Sequence, residues 1–120
     1  MAASPIIGIV DDDPDVRGSL DSLLRSAGMT PRCFASAEEM LAYDDQASLE
    51  CLVTDLHMPG MSGLQLQAEL VGRGRSMPII LVTAYPTDAA RAQASAAGAA
   101  AFLTKPVDPE RLLEAIERVI

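Results

Sequence analysis

Short apolar runs alternate along the chain with segments in which apolar residues recur at helical spacing. Three runs, Ile6–Val10, 51–54 and Ile79–Thr83, are apolar almost throughout and lack polar alternation. Such runs are typical of strands that are buried on both faces of a sheet. Two weaker runs, Thr30–Phe34 and 100–103, complete a predicted set of five strands.

A helix is predicted after each strand, and each of these helices begins at a residue suited to capping. Proline follows the cap directly in the first and last helices, and Gly28 is predicted to end the first helix in a left-handed conformation. The second helix is predicted to end at residue 43. The predicted caps are Asp13, Ser36, Ser62, Thr87 or Asp88, and Asp108. The predicted inward residues of the last helix are Leu112, Leu113, Ile116, Val119 and Ile120.

The strand–helix alternation, repeated five times, predicts one doubly wound α/β domain over residues 1–120. Its sheet is expected to be parallel, with helices on both faces and right-handed crossovers. Pro31 lacks an amide donor, so the second strand is expected at a sheet edge. In such sheets a ligand site lies beyond the carboxyl ends of the strands, where the strand order reverses.

Charge and cysteine usage narrow the function classes. Asp and Glu number 17 against 9 Lys and Arg, a net charge of −8. That balance argues against a nucleic-acid surface and favours a cation or a basic protein as partner. Residues 1–5 carry no signal-peptide pattern, and no apolar run approaches the ~20 residues of a membrane span, so we expect a cytoplasmic protein. Cys33 and Cys51 fit no metal or disulfide pattern and are predicted to be buried thiols.

Polar residues suited to catalysis or metal binding follow the predicted strands directly. If the second strand lies outside the first, Asp11, Asp12 and Asp55 converge, flanked by Thr83 and Lys105. Two unit charges ~5 Å apart repel by roughly 3 kcal/mol at an effective dielectric of 20, so either a pKa rises or a cation binds. Mg²⁺ suits this set because it prefers oxygen ligands and is held by one or two carboxylates plus a phosphate. A carboxylate can itself be the nucleophile and form an aspartyl phosphate.

Four motifs in this order resemble the receiver domain of two-component response regulators, over nearly the whole chain. They are VDDDP at 10–14, VTDLHMPGMSG at 53–63, VTA at 82–84 and FLTKP at 102–106. The resemblance implies a flavodoxin-like (βα)5 fold with strand order 2-1-3-4-5. The loop at 59–63 and the Lys105–Pro106 pair are most similar to receivers attached to nitrogen-regulatory and helix-turn-helix output domains.

The resemblance implies a role for each charged residue of the cluster. Asp55 would be the phosphoacceptor. Asp12, Asp55 and the main-chain carbonyl of His57 would ligate Mg²⁺ directly, and Asp11 would act through a metal-bound water. Lys105 would pair with Asp55 and then bind the phosphoryl oxygens.

A switch is also implied by the resemblance. Thr83 would swing toward the phosphoryl group, and Phe102 would turn inward behind it. The Lys105–Pro106 bond would be cis. The surface made by the fourth helix, fifth strand and fifth helix would then control homodimerisation or binding of a partner. The phosphoryl donor would be a sensor histidine kinase. The chain is either a stand-alone regulator or a receiver cut from a longer protein, and in the second case a C-terminal output domain would lie outside it.

Other interpretations of the same residues remain open. The aspartates at 11–13 suit a helix start, and Asp13 is interpreted only as a cap. Asp11 and Asp13 also have the spacing of a Mg²⁺-dependent phosphohydrolase of the haloacid-dehalogenase kind, although Asp55 and Lys105 favour the receiver. Under the receiver interpretation the chain is no enzyme for a separate metabolite and catalyses only its own phosphorylation and hydrolysis. The His57 and Tyr85 side chains are hypothesised to tune the lifetime of the phosphoryl group.

Overall fold

The computed structural model describes residues 4–120, which form a five-stranded parallel sheet in the order β2-β1-β3-β4-β5. The strands are β1 (Ile6–Val10), β2 (Thr30–Phe34), β3 (Cys51–Asp55), β4 (Ile79–Thr83) and β5 (Ala101–Thr104). The helices are α1 (Pro14–Ser26), α2 (Ala37–Leu41), α3 (Gly63–Gly72), α4 (Asp88–Ala96) and α5 (Pro109–Val119), with a short 3₁₀ turn at Gln46–Ser48. The predicted α/β fold and strand order are therefore confirmed.

Two apolar cores lie on opposite faces of the sheet. The first packs β-strand residues such as Ile7 and Ile9 against α1 and α5, through Leu24 and Ile116 among others. The second packs the other face against α2, α3 and α4. Strands β3 and β4 are buried at every residue, which explains why their sequences are apolar with no polar alternation.

The helix starts follow the capping chemistry expected from the sequence. The side chains that accept a backbone amide there are Asp13, Ser36, Ser62, Thr87 and Asp108. Ser62 and Gln65 form a reciprocal capping box, which was not among the sequence-based predictions. Gly28 adopts φ 81°, as predicted for a left-handed helix end. Helix α2 is shorter than predicted and ends at Leu41.

Two burial predictions are wrong. Cys33 is exposed because β2 is an edge strand, on which Pro31 and Phe34 are buried while Arg32 and Cys33 are exposed. Ile120 is 46% exposed because it lies just beyond the end of α5. Cys51 is buried as predicted, and the edge position inferred from Pro31 is confirmed.

No helix within residues 4–120 has the length and apolar character that crossing a bilayer requires. The expectation that residues 1–5 hold no signal peptide falls partly on residues 1–3, which lie outside the described part of the chain.

Candidate functional site

Three aspartates meet at the carboxyl ends of β1 and β3. The register pairs Val10 with Thr54, so the next residues along the two strands, Asp11 and Asp55, lie side by side. Asp11 is 3% exposed and Asp55 is 7% exposed, whereas Asp12 is open to solvent. One carboxylate oxygen from each aspartate lies within 4.8 Å of the others. The predicted convergence of the three carboxylates is therefore present.

Lys105 reaches this cluster from the far edge of the sheet. Its Nζ donates to Asp11 Oδ2 at 2.9 Å and to Asp55 Oδ2 at 3.1 Å. Its backbone amide donates to the Thr83 carbonyl at 2.8 Å, which fixes the start of the segment after β5. The following peptide bond, Lys105–Pro106, is cis. One ammonium group thus lies between two buried carboxylates.

The cluster retains excess negative charge, and the pKa shifts reflect it. Burial raises the pKa of the Asp55 carboxyl above its ordinary value, and the charge of Asp11 raises it further. The hydrogen bond and charge of Lys105, together with the His57 amide, oppose this increase without cancelling it. Burial alone would lower the pKa of Lys105, but its hydrogen bonds to both carboxylates raise it above its ordinary value. A cation beside Asp55 would relieve the remaining repulsion.

Backbone contacts orient the loop that carries Asp11. The Asp13 amide donates to Asp11 Oδ1 at 2.9 Å, and the Arg17 guanidinium donates to the Asp11 carbonyl at 2.6 Å. Asp13 Oδ1 accepts the Asp15 amide as the cap of α1. Sequence reasoning did not identify Arg17, since an arginine one turn into a helix carries no distinctive signal. Asp13 lines the site, but its Oδ1 is engaged in the hydrogen bond that caps α1.

The aspartates and Lys105 line a cavity of about 420 Å³. The cavity also includes His57, Ala84 and Tyr85. Tyr85 is 72% exposed, and its ring lies edge-on to the His57 ring with the centroids 5.9 Å apart. These two aromatic side chains therefore lie at the mouth of the acidic cluster.

Thr83 and Phe102 do not line this cavity. Thr83 is fully buried, and its hydroxyl oxygen accepts the Tyr85 amide at 3.0 Å. Phe102 is half-buried against the core under α2, α3 and α4. The Arg91 guanidinium lies 4.7 Å from the Phe102 ring centroid, a contact that the sequence pattern did not indicate.

The donor set fits a hard divalent cation. Carboxylate oxygens are the ligands that Mg²⁺ prefers, and two of the three aspartates are buried with a single lysine to balance them. The β3–α3 loop runs past the same site. Gly63, at its end, packs so closely on the Asp55 carbonyl that a Cβ would overlap it. The residues present can therefore hold a metal ion next to Asp55.

Comparison with known proteins finds one family and many relatives. A family model described as "Response regulator receiver domain" matches residues 7–117. The response regulator protein TmoT of Ectopseudomonas mendocina is 41% identical over 115 residues, which cover 96% of this chain and 52% of TmoT. The chain thus spans about half the length of this curated relative.

Solved structures resemble this chain over nearly its full length. A response regulator receiver protein from Pseudomonas putida superposes with a TM-score of 0.92 at 32% identity, covering 98% of this chain and 99% of that one. The structure titled FixJ-N superposes with a TM-score of 0.87 at 36% identity, covering 99% and 94%.

Proposed function

This chain belongs to the response regulator receiver domain family of two-component systems, and we propose that Asp55 accepts a phosphoryl group from a sensor histidine kinase in a Mg²⁺-dependent reaction. The observation that supports this most directly is the position of the Asp55 carboxylate. It lies 3.1 Å from the Lys105 ammonium, with Asp11 and Asp12 oxygens within 4.8 Å. A nucleophilic carboxylate needs a positive charge that binds the incoming phosphoryl oxygens. It also needs a cation that reduces the repulsion between the carboxylate and the negatively charged phosphoryl group.

The transfer exchanges one phosphorus bond for another. An Asp55 carboxylate oxygen attacks the phosphorus of a phosphohistidine, a P–O bond forms, and the P–N bond breaks. The departing imidazole nitrogen keeps the electron pair and takes up a proton, leaving an acyl phosphate on Asp55. Bound Mg²⁺, held by Asp12, Asp55 and the His57 carbonyl with Asp11 acting through a water, would reduce the charge on the transferring oxygens.

Lys105 supplies the second positive charge. Its Nζ now bridges Asp11 and Asp55, and the transferring oxygens would replace the Asp55 oxygen as its partner. The bond to Asp11 would keep Nζ in place during that exchange. The acyl phosphate carries about two negative charges where the carboxylate carried one, so its attraction to the Lys105 ammonium would be stronger.

A switch would transmit this change from Asp55 to the surface formed by α4, β5 and α5. The Thr83 hydroxyl oxygen accepts the Tyr85 amide, and its own proton remains available to donate to a phosphoryl oxygen. Movement of Thr83 would then free space toward Phe102, the half-buried aromatic on the neighbouring strand β5. The surface of α4, β5 and α5 would thereby change its affinity for a second copy, a partner or an output domain.

His57 and Tyr85 are proposed to set the lifetime of the acyl phosphate. Their rings meet edge-on at the cavity mouth, where they would limit the approach of water to the phosphorus. The double variant His57→Ala, Tyr85→Ala should lose the phosphoryl group faster than the wild type. An unchanged dephosphorylation rate would remove this role.

The phosphohydrolase alternative lacks support at Asp13. That mechanism needs Asp13 as a second catalytic carboxylate, yet Asp13 Oδ1 caps α1 by accepting the Asp15 amide. The positions of Asp55 and Lys105 also fit the receiver better than the phosphohydrolase. Turnover of a phosphomonoester by the purified protein would reverse this preference.

Intact mass after incubation with acetyl phosphate and Mg²⁺ tests the proposal. The wild type should gain one phosphoryl group, and Asp55→Asn should gain none. Asp13→Asn is the matched control, because it removes a neighbouring carboxylate that serves as a helix cap, and it should still be phosphorylated. Phosphorylation of Asp55→Asn, or its absence in the wild type, would overturn the assignment.

Thermal unfolding tests the cation separately. Millimolar Mg²⁺ should raise the midpoint of the wild type, because the ion binds the folded state and reduces repulsion among the three aspartates. Asp12→Asn removes an exposed ligand without opening the core, so its midpoint should respond less. An unchanged wild-type midpoint would contradict the metal site.

A further inference from the structure

Glu38, in the first turn of α2, reaches out of its own helix to the loop that follows β3. Its Oε2 accepts the backbone amide of Met61 at 3.3 Å, across 23 residues of sequence. Gly60 adopts φ 77°, and a Cβ there would lie 2.6 Å from the same oxygen. The glycine therefore leaves room for the carboxylate to approach the loop backbone.

The loop needs such a tether because few bonds hold its middle. At its far end the Gly63 amide donates to the Leu56 carbonyl at 2.9 Å, and Gly63 packs on the Asp55 backbone. Within residues 4–120, no hydrogen bond other than that of Glu38 joins the backbone of 58–61 to another element. The same loop includes His57, whose amide makes a long 3.4 Å bond to Asp55 Oδ1.

We propose that Glu38 is a positioning residue for the metal site: by holding the Met61 amide it fixes the path of the β3–α3 loop, and so the direction of the His57 carbonyl. This inference rests on the proposed function, since it takes the His57 carbonyl as a metal ligand. A loop without the tether samples more conformations, and the apparent affinity falls with the fraction that can bind. Glu38 acts through the loop and does not ligate the ion.

The next residue along the helix provides a matched control. Glu39 is also exposed and carries the same charge in the same turn of α2. Its backbone amide donates to Ser36, but its carboxylate makes no hydrogen bond in the described structure. Glu39→Ala therefore removes one acidic charge near the loop without removing the tether.

Two measurements on the unphosphorylated full chain test the proposal. Mg²⁺ dissociation constants come from an NMR titration of Glu38→Ala, Glu38→Gln and Glu39→Ala. The exchange rate of the Met61 amide with water is measured in the same samples. Glu38→Ala should weaken Mg²⁺ binding by about 3- to 10-fold, the range expected for one hydrogen bond, and should speed Met61 exchange. Glu38→Gln keeps an acceptor oxygen, so its affinity should stay within about two-fold of the wild type.

Each departure from that pattern overturns the proposal. Glu38→Ala with wild-type affinity, or with unchanged Met61 exchange, means that the tether does not order the loop. Equal weakening by Glu39→Ala, or by Glu38→Gln, means that charge and not the hydrogen bond is responsible. Failure of the wild type itself to bind Mg²⁺ or to be phosphorylated would instead contradict the proposed function.

Discussion

Helices α4 and α5 flank the same edge strand, β5, yet they are attached to the sheet in different ways. Helix α5 inserts Leu112 and Ile116, both fully buried, into the core that it shares with α1. Helix α4 buries only Ala94, with Ala90 half-buried one turn earlier. A fully buried leucine or isoleucine contributes roughly 1.5–3 kcal/mol more than an exposed one, and alanine contributes far less. The sheet therefore holds α5 firmly and α4 weakly.

A polar contact partly compensates at α4. Gln67 of α3 is 1% exposed, and its Nε2 donates to the Ala94 carbonyl at 3.3 Å. The Ala94 carbonyl also accepts the Ala99 amide, so the bond from Gln67 is a second one. The other amide atom, Gln67 Oε1, is buried without a partner. The α3–α4 contact therefore includes a buried, unpaired acceptor, which lowers stability, and the packing of α5 includes none in the described part of the chain.

This difference suits the proposed switch. A helix held by small side chains can shift against the sheet at low cost, whereas a helix anchored by large ones would leave cavities. We therefore expect α5 to serve as the fixed side of the α4–β5–α5 surface and α4 as the side that moves when Asp55 is phosphorylated.

Truncation of one buried side chain in each helix should give the largest contrast. Ile116→Ala should lower the free energy of unfolding by about 3 kcal/mol, since it removes transfer energy and leaves a cavity. Ala94→Gly, the corresponding truncation in α4, should lower it by about 1–2 kcal/mol, through lower helix propensity and the loss of one buried methyl group. Urea denaturation measures both. Glu117→Ala, an exposed change in α5, is the control and should stay within about 0.5 kcal/mol of the wild type. Equal losses for Ile116→Ala and Ala94→Gly would abolish the contrast.

Native-state hydrogen exchange should show the same difference without any substitution. Backbone amides in the last turn of α4 should exchange through openings about 2 kcal/mol less costly than those of the Ile116 turn, because less apolar surface is exposed on opening. Equal protection of the two helices would mean that contacts other than side-chain burial hold α4. Phosphorylation should then change exchange in α4 more than in α5.

The features that sequence could predict are those set by chain direction and periodicity. Asp11 and Asp55 meet because parallel strands end at the same edge, and both follow apolar runs that could be identified as strands. The caps Asp13 and Asp108 were identifiable because proline follows each one. The small side chains of α4 were visible in composition, since nine of the thirteen residues from 89 to 101 are alanine.

The features that sequence could not predict depend on where long side chains end. Arg17 bonds the Asp11 carbonyl, Glu38 bonds the Met61 amide and Arg91 covers Phe102, and each contact joins two elements. Their side chains have several rotatable bonds, so residue spacing does not determine which neighbour they reach. Cys33 was misjudged for a related reason: an apolar residue on an edge strand faces the core or the solvent according to register, which composition does not reveal.

Replacement of Gln67 should produce a smaller effect, and in the stabilising direction. Gln67→Met keeps a similar volume, removes the unpaired Oε1 and loses the bond to a carbonyl that retains the Ala99 amide. The free energy of unfolding should rise by about 1 kcal/mol, because an unpaired buried acceptor costs more than one neutral hydrogen bond contributes. Gln93→Met, an exposed change in α4, should leave it unchanged. A loss of stability in Gln67→Met would mean that the Gln67–Ala94 bond is a principal anchor of α4, and the contrast with α5 would narrow.

The Arg91–Phe102 contact should give the smallest effect, and it tests whether α4 is coupled to β5 at all through side chains. The guanidinium lies 4.7 Å from the ring centroid at an exposed position, where such contacts contribute about 0.5–1 kcal/mol. A double-mutant cycle of Arg91→Gln with Phe102→Leu should return a coupling of about 0.5 kcal/mol. Arg91, Phe102 and Arg111 line one cavity of about 430 Å³. Arg111→Gln is the control, because Arg111 does not cover the ring, and its coupling to Phe102 should be near zero.

Loss of the Arg91 contact should also loosen the ring of Phe102, the proposed switch residue, and NMR of the Phe102 side chain would detect this motion. A coupling of zero would leave Ala94 and Gln67 as the attachments of α4, and movement of Phe102 would then have no direct route to that helix.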